Sequence, residues 1–596
     1  MRSLDFNVAL VSMPWPTFNR PSIQLGALKS FLQADENINV KTFHPYLEVA
    51  KLLGPDNYHP ISLESWVSEA LYSVVLFPGK RDNASSLVHR ELKTKSIDFD
   101  FDTVCLLLEK HINQWIEEID WKAFQLVGFS VCFNQLISSL AAAHFIKKKY
   151  PDLPIVFGGS SCIPEMAQGL FDHFLIDYMI SGEGEIPLFH LCQWLQGKVI
   201  EMIPSIYTRK KQIKYAGKSI NQVDLAQLTP PDYDDYFLEM KSLYPDQPFI
   251  PTIPVEFSRG CWWGKCVFCN LNLQWKGYRS KTADKMINEV KGLAQKYGSL
   301  DFTFTDNVLP YKDGRLFFEK CIALKKDYSF FGEIRANQRG PYLQTCGKGG
   351  LDSIQVGIEA FSETLLKRLK KGVSVIENIA IMRDAAAYGV TLDGNLIIDF
   401  PGSTEKEVEE TLNVLEFVLP YHPLTTASFS LGHGSPVDYE YSQFGITAVM
   451  PHANIKKILP NTILADLPCL VKGYRGDRQH QRTMWNPVKK KVKRWQAFHA
   501  RQIKTCRPFL SMRDGGDFLL IRQVLENDEV LHHRLRGVSR SVYLACSEIN
   551  TLSNILQQFT TLSEKAIVSF LNDLVSKKIM FRQGDKYLAL AIPTRR

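Results

Sequence analysis

The chain has 596 residues, 45% hydrophobic, 22% charged and 11% aromatic, which excludes a disordered chain, a collagen-like fibre and a small disulfide scaffold. At roughly 150 residues per domain, about four domains are expected, and no apolar run approaches the ~18 residues of a membrane span. The net charge of +7 is local, because eleven Lys or Arg stand against one Asp between Lys472 and Lys504 and leave the rest slightly acidic.

The N-terminus offers only the short apolar run Val8–Met13, which reads as a strand start and not a signal peptide. A soluble cytoplasmic protein is expected, with no membrane partner and most of its 12 Cys as thiols. Strands are predicted over 8–12, 126–130, 155–157 and 178–180, and helices over 21–32 and 136–149. Strand then helix, repeated, argues a doubly wound parallel sheet with right-handed crossovers. Ligands of such sheets bind beyond the carboxyl ends of the strands. Small residues fall at those ends: Ser130, Gly158, Gly159 and the run Gly182-Glu183-Gly184.

Residues 205–218 read as a hairpin, and the Pro and Asp of 228–236 argue against helix or strand, so a boundary is placed there. The rhythm resumes with strands over 252–257, 301–305, 331–335, 353–357 and 391–398 and helices at 364–371 and 405–418, which suggests a full or partial barrel. Residues 446–510 look helical and basic. Beyond them a strand at 518–525, helices at 538–546, 552–559 and 563–576, and a hairpin over 579–591 suggest a winged helix.

The strongest signal is the run from Ser258 to Cys269, SRGCWWGKCVFC, which follows the first barrel strand. Cys261, Cys266 and Cys269 can wrap one side of a compact iron–sulfur cluster, leaving a fourth iron open. Gly260 and Gly264 let the loop curl. A zinc ribbon is the alternative, but it needs four closed ligands, and neither a second CxxC nor a paired His at finger spacing is nearby.

These residues resemble the radical S-adenosylmethionine (SAM) superfamily. Within it, the chain is most similar to the cobalamin-dependent C-methyltransferases that mature ribosomally synthesised and post-translationally modified peptides (RiPPs). The likeness runs over nearly the whole chain: the opening VSMPWPTFNRPSIQLGALKSFL, then VGFS, IVFGGS, SGEGE, PDYDDYF, the cysteine block with YRSKT, TDN, EIRANQR, QVGIEAFSETLLKRLKKGV, NLIIDFPGST and KYLALAIP. One departure is the first spacer. The superfamily pattern most often seen is CxxxCxxC, whereas four residues, Trp262–Lys265, separate the first two Cys here.

The resemblance implies an α/β multidomain fold. It would comprise a cobalamin-binding doubly wound sheet (1–220), a linker (221–250), a radical SAM partial TIM-type barrel (251–445), a basic helical extension (446–510) and a winged-helix-like module (511–596). It implies a 4Fe–4S cluster on Cys261, Cys266 and Cys269 whose open iron takes SAM. Asp306, Asn307 and Arg335 would lie at the methionine end of SAM, Glu359 at its ribose and Gly402 at its adenine. Ser130, Gly158, Gly159, Gly182, Glu183 and Gly184 would line the cobalamin tail pocket. The Asp-x-His-x-x-Gly motif that supplies a cobalt-ligating His is missing, as expected of a His-off site in this branch.

The implied activity is methylation of an unactivated carbon of a precursor peptide through methylcobalamin. No acid–base triad is assigned, because the cofactors carry the chemistry. The implied partners are that peptide, its leader held by the C-terminal module, and a small reductase or flavodoxin-type electron donor; nucleic acid is not expected. Alternatives are a methylthiotransferase-like enzyme acting on RNA, for which Cys132, Cys162 and Cys192 would have to converge, a cobalamin radical SAM enzyme performing a non-methylating rearrangement, and a metal-stabilised nucleic-acid-binding protein.

Overall fold

The computed structural model describes residues 5–93, 100–201, 203–209, 222–246, 249–273, 275, 277–502 and 507–594. The chain opens with β1 (Phe6–Val11), β2 (Ile38–Phe43), β3 (Leu126–Ser130), β4 (Ile155–Gly158), β5 (Tyr178–Ile180) and β6 (Ile206–Thr208). They form one sheet in the order β2-β1-β3-β4-β5-β6, parallel except for β6. The interior strands are short apolar runs such as LVGFS, buried throughout, as a sheet covered on both faces requires. Val8, Leu10 and Val156 point into one core, and Ala9, Val11 and Phe157 into the other. Of the hairpin predicted over 205–218, one arm is β6, and most of the remainder lies outside the described residues.

A helical insertion separates β2 from β3, running from Pro45–Leu53 through Ser65–Leu76 to Phe101–Glu118. It buries Tyr46, Tyr58, Tyr72 and Trp121 against one face of the sheet. The linker expectation is corrected, since Asp234–Leu243 is a helix. Pro230-Pro231 do break the chain, but Tyr233, Tyr236 and Phe237 are buried, and this packing outweighs the turn-forming Asp residues.

The barrel begins with β7 (Ile253–Val255) and a two-residue pair, β8 (Ser258–Arg259) with β9 (Arg279–Ser280). Then come β10 (Asp301–Phe304), β11 (Ser329–Ile334), β12 (Leu351–Val356), β13 (Thr391–Asp393), β14 (Asn395–Ile398) and β15 (Thr425–Ser428). Five strands pair in parallel in the order β13-β12-β11-β10-β7. The strand expected over 391–398 divides at Gly394, after which β14 turns to pair with β15 while a bridge from Leu396 to Glu359 keeps it beside β12. The result is a partial barrel whose helix-facing side is packed by Phe302, Phe304, Phe317 and Phe330.

The helical expectation for 446–510 is corrected at 448–451 and 471–475, while Arg478–Met484 and Asn486–Gln502 are helices as expected. β16 (Leu431–Gly432), β17 (Ala448–Pro451) and β18 (Val471–Arg475) form a small antiparallel sheet. The helix Asn486–Gln502 follows, burying Trp495, and its cations reach acidic partners, Lys489 to Asp399 at 3.0 Å and Lys491 to Glu416.

The last region contains β19 (Leu510–Asp514), β20 (Phe518–Val524), β21 (Val530–Arg536), β22 (Asn550–Thr551), β23 (Met580–Gln583), β24 (Lys586–Ala589) and β25 (Ile592–Pro593). Helices Val538–Ala545, Leu552–Gln558 and Glu564–Ser576 surround the three-stranded sheet β22-β24-β23. The strand expected over 518–525 forms as β20 and is internal, lying between β19 and β21 in the sheet β21-β20-β19-β25, so β21 is one edge and β25 the other. The module is keyed to the barrel by Arg383, which donates to the Ser547 and Ala589 carbonyls, and by Tyr421, which donates to the Leu590 carbonyl at 2.7 Å. Among the described residues no helix is long and apolar enough to cross a membrane.

Candidate cofactor site

A cavity of about 300 Å3 opens where the carboxyl ends of β3, β4 and β5 meet the start of the barrel. All six small or acidic residues expected there, Ser130, Gly158, Gly159, Gly182, Glu183 and Gly184, line it together with Asn307. Leu10, Val156, Ile180 and Leu188 supply an apolar side, and no histidine is among the lining residues. At Gly158 an added Cβ would find only Ile180, at 3.8 Å, so backbone and open space form that wall. An apolar floor with a rim of backbone amides and small side chains suits a large cofactor with a polar tail, and the residues present fit cobalamin. Glu183 differs from the other five, because Arg259 and Arg279 already hold its carboxylate.

The cysteine loop leaves β8 through Gly260, whose φ is +83° and where any Cβ would strike the Gly277 carbonyl oxygen at 2.2 Å. Only glycine makes this turn without strain. The longer first spacer is anchored by its aromatic residues. Trp263 donates from its indole to the Lys370 carbonyl at 2.8 Å, and its ring occupies the space over Gly372. The guanidinium of Arg335 lies 5.1 Å from the Trp262 ring and 4.9 Å from that of Trp263, a cation–π arrangement on both rings.

Burial raises the Cys266 thiol above its ordinary range and Cys269 to about 11, while Lys371 pulls both down. Cys261 influences both of the others. Among the described residues no three His, Cys, Asp or Glu converge as around a single ion. Three thiols in one loop, with the buried cations Lys371 and Arg335 beside Cys266, form a donor set that fits a cluster of thiolate-bound iron.

The polar residues expected around SAM divide into three groups. Asp306 is corrected: it is 2% exposed and turned into the wall, accepting from the Phe257 amide at 2.9 Å and the Ser258 hydroxyl at 2.5 Å. Burial raises its carboxyl to about 7, against those two hydrogen bonds. Asn307 and Arg335 each keep a buried donor without a protein partner, Asn307 Nδ2 and Arg335 Nε. Each orphaned donor suits a carboxylate oxygen, Asn307 from the cavity wall and Arg335 from beside the cysteine loop, so the residues present fit the methionine end of SAM. Glu359 stands at φ +60° and pairs with Lys371 at 2.9 Å. Gly402, at φ +67°, donates to Asp477, and the preceding Pro401 carbonyl accepts from Arg368 at 2.9 Å. Arg335, Glu359 and Gly402 do not line the cavity; the first two gather around the cysteine loop through Lys371.

The sequence reading missed Lys371, the Trp262–Arg335–Trp263 stack and the Arg259 ion network. A pointer lay in SGEGE, where Glu183, between two glycines, has no adjacent side chain to pair with and must find a distant cation. Cys132, Cys162 and Cys192 do not form a second ligand set: Cys162 and Cys192 belong to the cores on opposite faces of the first sheet.

Residues 255–415 match the family model of the radical SAM superfamily. An uncharacterised methyltransferase of Pyrococcus horikoshii is 24% identical over 335 residues, which are 55% of this chain and 67% of that protein. Several other curated relatives are matched over only about half their own length. By structure, the cobalamin-dependent SAM radical enzyme OxsB, with aqua-cobalamin and SAM bound, aligns with 98% of this chain and 82% of its own at TM-score 0.57 and 14% identity. The radical SAM methyltransferase TsrM of Kitasatospora setae, with cobalamin and a [4Fe–4S] cluster bound, aligns with 75% of this chain and 81% of its own at TM-score 0.52 and 14% identity. At such identities the likeness establishes a shared fold.

Proposed function

From a radical SAM domain set within the fold of the cobalamin-dependent radical SAM enzymes, we propose that this chain is a cobalamin-dependent radical SAM C-methyltransferase acting on an unactivated carbon of a ribosomally made precursor peptide. The observation that carries the enzyme class is the cavity shared by the Gly- and Ser-rich strand ends and Asn307, next to the cysteine loop. When bound, the reduced cluster and SAM supply a hydrogen-abstracting radical, and methylcobalamin supplies the methyl group. Cys261, Cys266 and Cys269 would hold the cluster. Asn307 and Arg335 would bind the carboxylate of SAM, and Lys371 fixes Glu359 beside the cysteine loop. The strand-end turns would seat the corrin tail.

A peptide substrate is supported by β21. It is the outer strand of its sheet, with Val530, His532, Arg534 and Arg536 exposed, a form suited to adding an acidic extended peptide as a further strand. A small reductase or flavodoxin-type protein would deliver the electron.

The test is anaerobic reconstitution with iron, sulfide and aquacobalamin, followed by incubation with SAM, a chemical reductant and the peptides encoded by short reading frames beside the gene. A methyl mass increment on one peptide, together with 5′-deoxyadenosine, is the expected result. 5′-Deoxyadenosine without any methylated peptide would reject the peptide substrate and keep the radical enzyme. The leader reading has its own test, fluorescence anisotropy with the double variant Arg534→Glu/Arg536→Glu. Unchanged peptide affinity would reject it. Point variants are preferred to removal of the module, because truncation strips the partners of buried Arg383.

A further inference from the structure

Five charged side chains that take no part in the chemistry above meet where the first sheet joins the barrel. Glu183 and Glu185 come from the turn after β5 and the helix that follows it, Glu256 and Arg259 flank and form β8, and Arg279 lies on β9. Arg259 is 5% exposed and uses every guanidinium nitrogen. Nη1 donates to Glu183 at 2.9 Å, Nη2 to Glu185 at 2.5 Å and Glu256 at 3.0 Å, and Nε to Glu256 at 2.8 Å. The second Glu183 oxygen accepts from Arg279, which also donates to the Val223 carbonyl at 2.8 Å. Trp275 covers the Arg259 guanidinium at 5.2 Å.

Two features make this more than a stabilising cluster. Arg259 and its three carboxylates all line the cavity, so the tie is part of its wall. Arg259 is also two residues from Cys261, and the intervening Gly260 is wedged against the Gly277 carbonyl. With Gly260 packed this closely, the position of Arg259 constrains that of the first cysteine. A planar, always-charged fork can hold three carboxylates at fixed angles, whereas a lysine, with its point charge, cannot.

We propose that Arg259 is a positioning residue that registers the cysteine loop against the carboxyl ends of the first sheet, and so sets the spacing between the cluster and the cobalamin. The second half of that statement rests on the proposed function; the first half does not.

The experiment compares Arg259→Lys and Glu185→Gln with Arg383→Lys, which alters a buried arginine remote from the cavity. In the apoprotein, hydrogen–deuterium exchange is read on peptides covering 182–186 and 256–260. Both segments should exchange about tenfold faster in the first two variants, roughly 1.4 kcal/mol of local protection, and at the wild-type rate in Arg383→Lys. In protein loaded with iron, sulfide and aquacobalamin, then reduced, the magnetic coupling between cob(II)alamin and the reduced cluster is read by paramagnetic resonance. It should change in Arg259→Lys at full iron and cobalt content and stay at the wild-type value in Arg383→Lys. Wild-type exchange in both segments of Arg259→Lys would overturn the tie. Altered exchange with unchanged coupling would overturn its role in spacing. Should wild-type protein retain neither cofactor, the proposed function fails while the exchange comparison still judges the tie.

Discussion

The two walls of the cavity are built on opposite terms. On the sheet side, Ser130, Gly158, Gly159, Gly182 and Gly184 offer backbone and space, and the two carboxylates there, Glu183 and Glu185, are taken up by Arg259. On the barrel side, charged and aromatic side chains fill the ground: Glu256, Arg259 and Trp275 in the wall, with Arg335, Lys371 and the two tryptophans behind it. A wall of glycines selects by shape and tolerates a bulky guest, whereas a wall of paired charges fixes angles and distances. The difference matches the division of labour proposed for them, one side seating a large cofactor and the other holding a reactive cluster in register.

The comparison predicts that the walls fail separately. Replacing Cys261, Cys266 and Cys269 together with Ala should bring cluster iron and sulfide to background and abolish 5′-deoxyadenosine formation, with cobalamin still retained; a full 4Fe–4S spectrum in the triple variant would overturn the ligand assignment.

On the other wall, Gly158→Phe should weaken cobalamin retention by at least about tenfold, or 1.4 kcal/mol. The Cβ itself is accommodated, and the ring must enter the cavity. Iron content should be unchanged. In the wild type, paramagnetic resonance of bound cob(II)alamin should show no nitrogen splitting from a protein ligand on cobalt, since among the described residues no histidine lines the cavity. Loss of iron along with cobalamin in Gly158→Phe would show that the walls are not independent.

Asp306 sharpens the contrast through pH. Its folded carboxyl titrates near 7 because of burial, far above an unfolded aspartate near 3.9. Between those values the folded state holds the proton and the unfolded state does not, so stability is full below about pH 4 and falls as pH rises through 7. The ceiling is on the order of 4 kcal/mol. Glu69 and Glu333, each raised to about 7 by burial, act in the same direction. Urea midpoints measured from pH 4 to 8 should decline less steeply for Asp306→Asn than for wild type; equal slopes would remove Asp306 from the account.

A more local effect is expected at Gly372, with φ +71° and Trp263 2.0 Å from any added Cβ. Gly372→Ala should cost about 1–3 kcal/mol in thermal unfolding and hasten loss of the cluster in air, because it displaces the spacer tryptophan. Unchanged stability would mean that the Trp263 anchor is weak.

How much could be read in advance follows from the range of the forces involved. Leu126–Ser130 and Leu136–Lys149 form with the expected boundaries, because a buried strand and its covering helix write their period into adjacent residues. The strands β17 and β18 were missed because short antiparallel strands depend on partners far along the chain. The helix at 234–243 was missed because tertiary burial of Tyr236, Phe237 and Met240 outweighs local turn preference.

The sequence by itself determined the alternation of strand and helix, the three clustered thiols and the glycine-rich strand ends, since each is a local pattern of apolarity, spacing or missing side chains. Only the tertiary structure decided that Asp306 faces the wall and Asn307 the cavity, that Arg335 lies against the tryptophans of the spacer, and that Glu183 and Glu185 meet Arg259. The orientation of neighbouring residues after a strand depends on how the strand enters its sheet. An ion pair between residues more than seventy positions apart has no signature until the chain is folded.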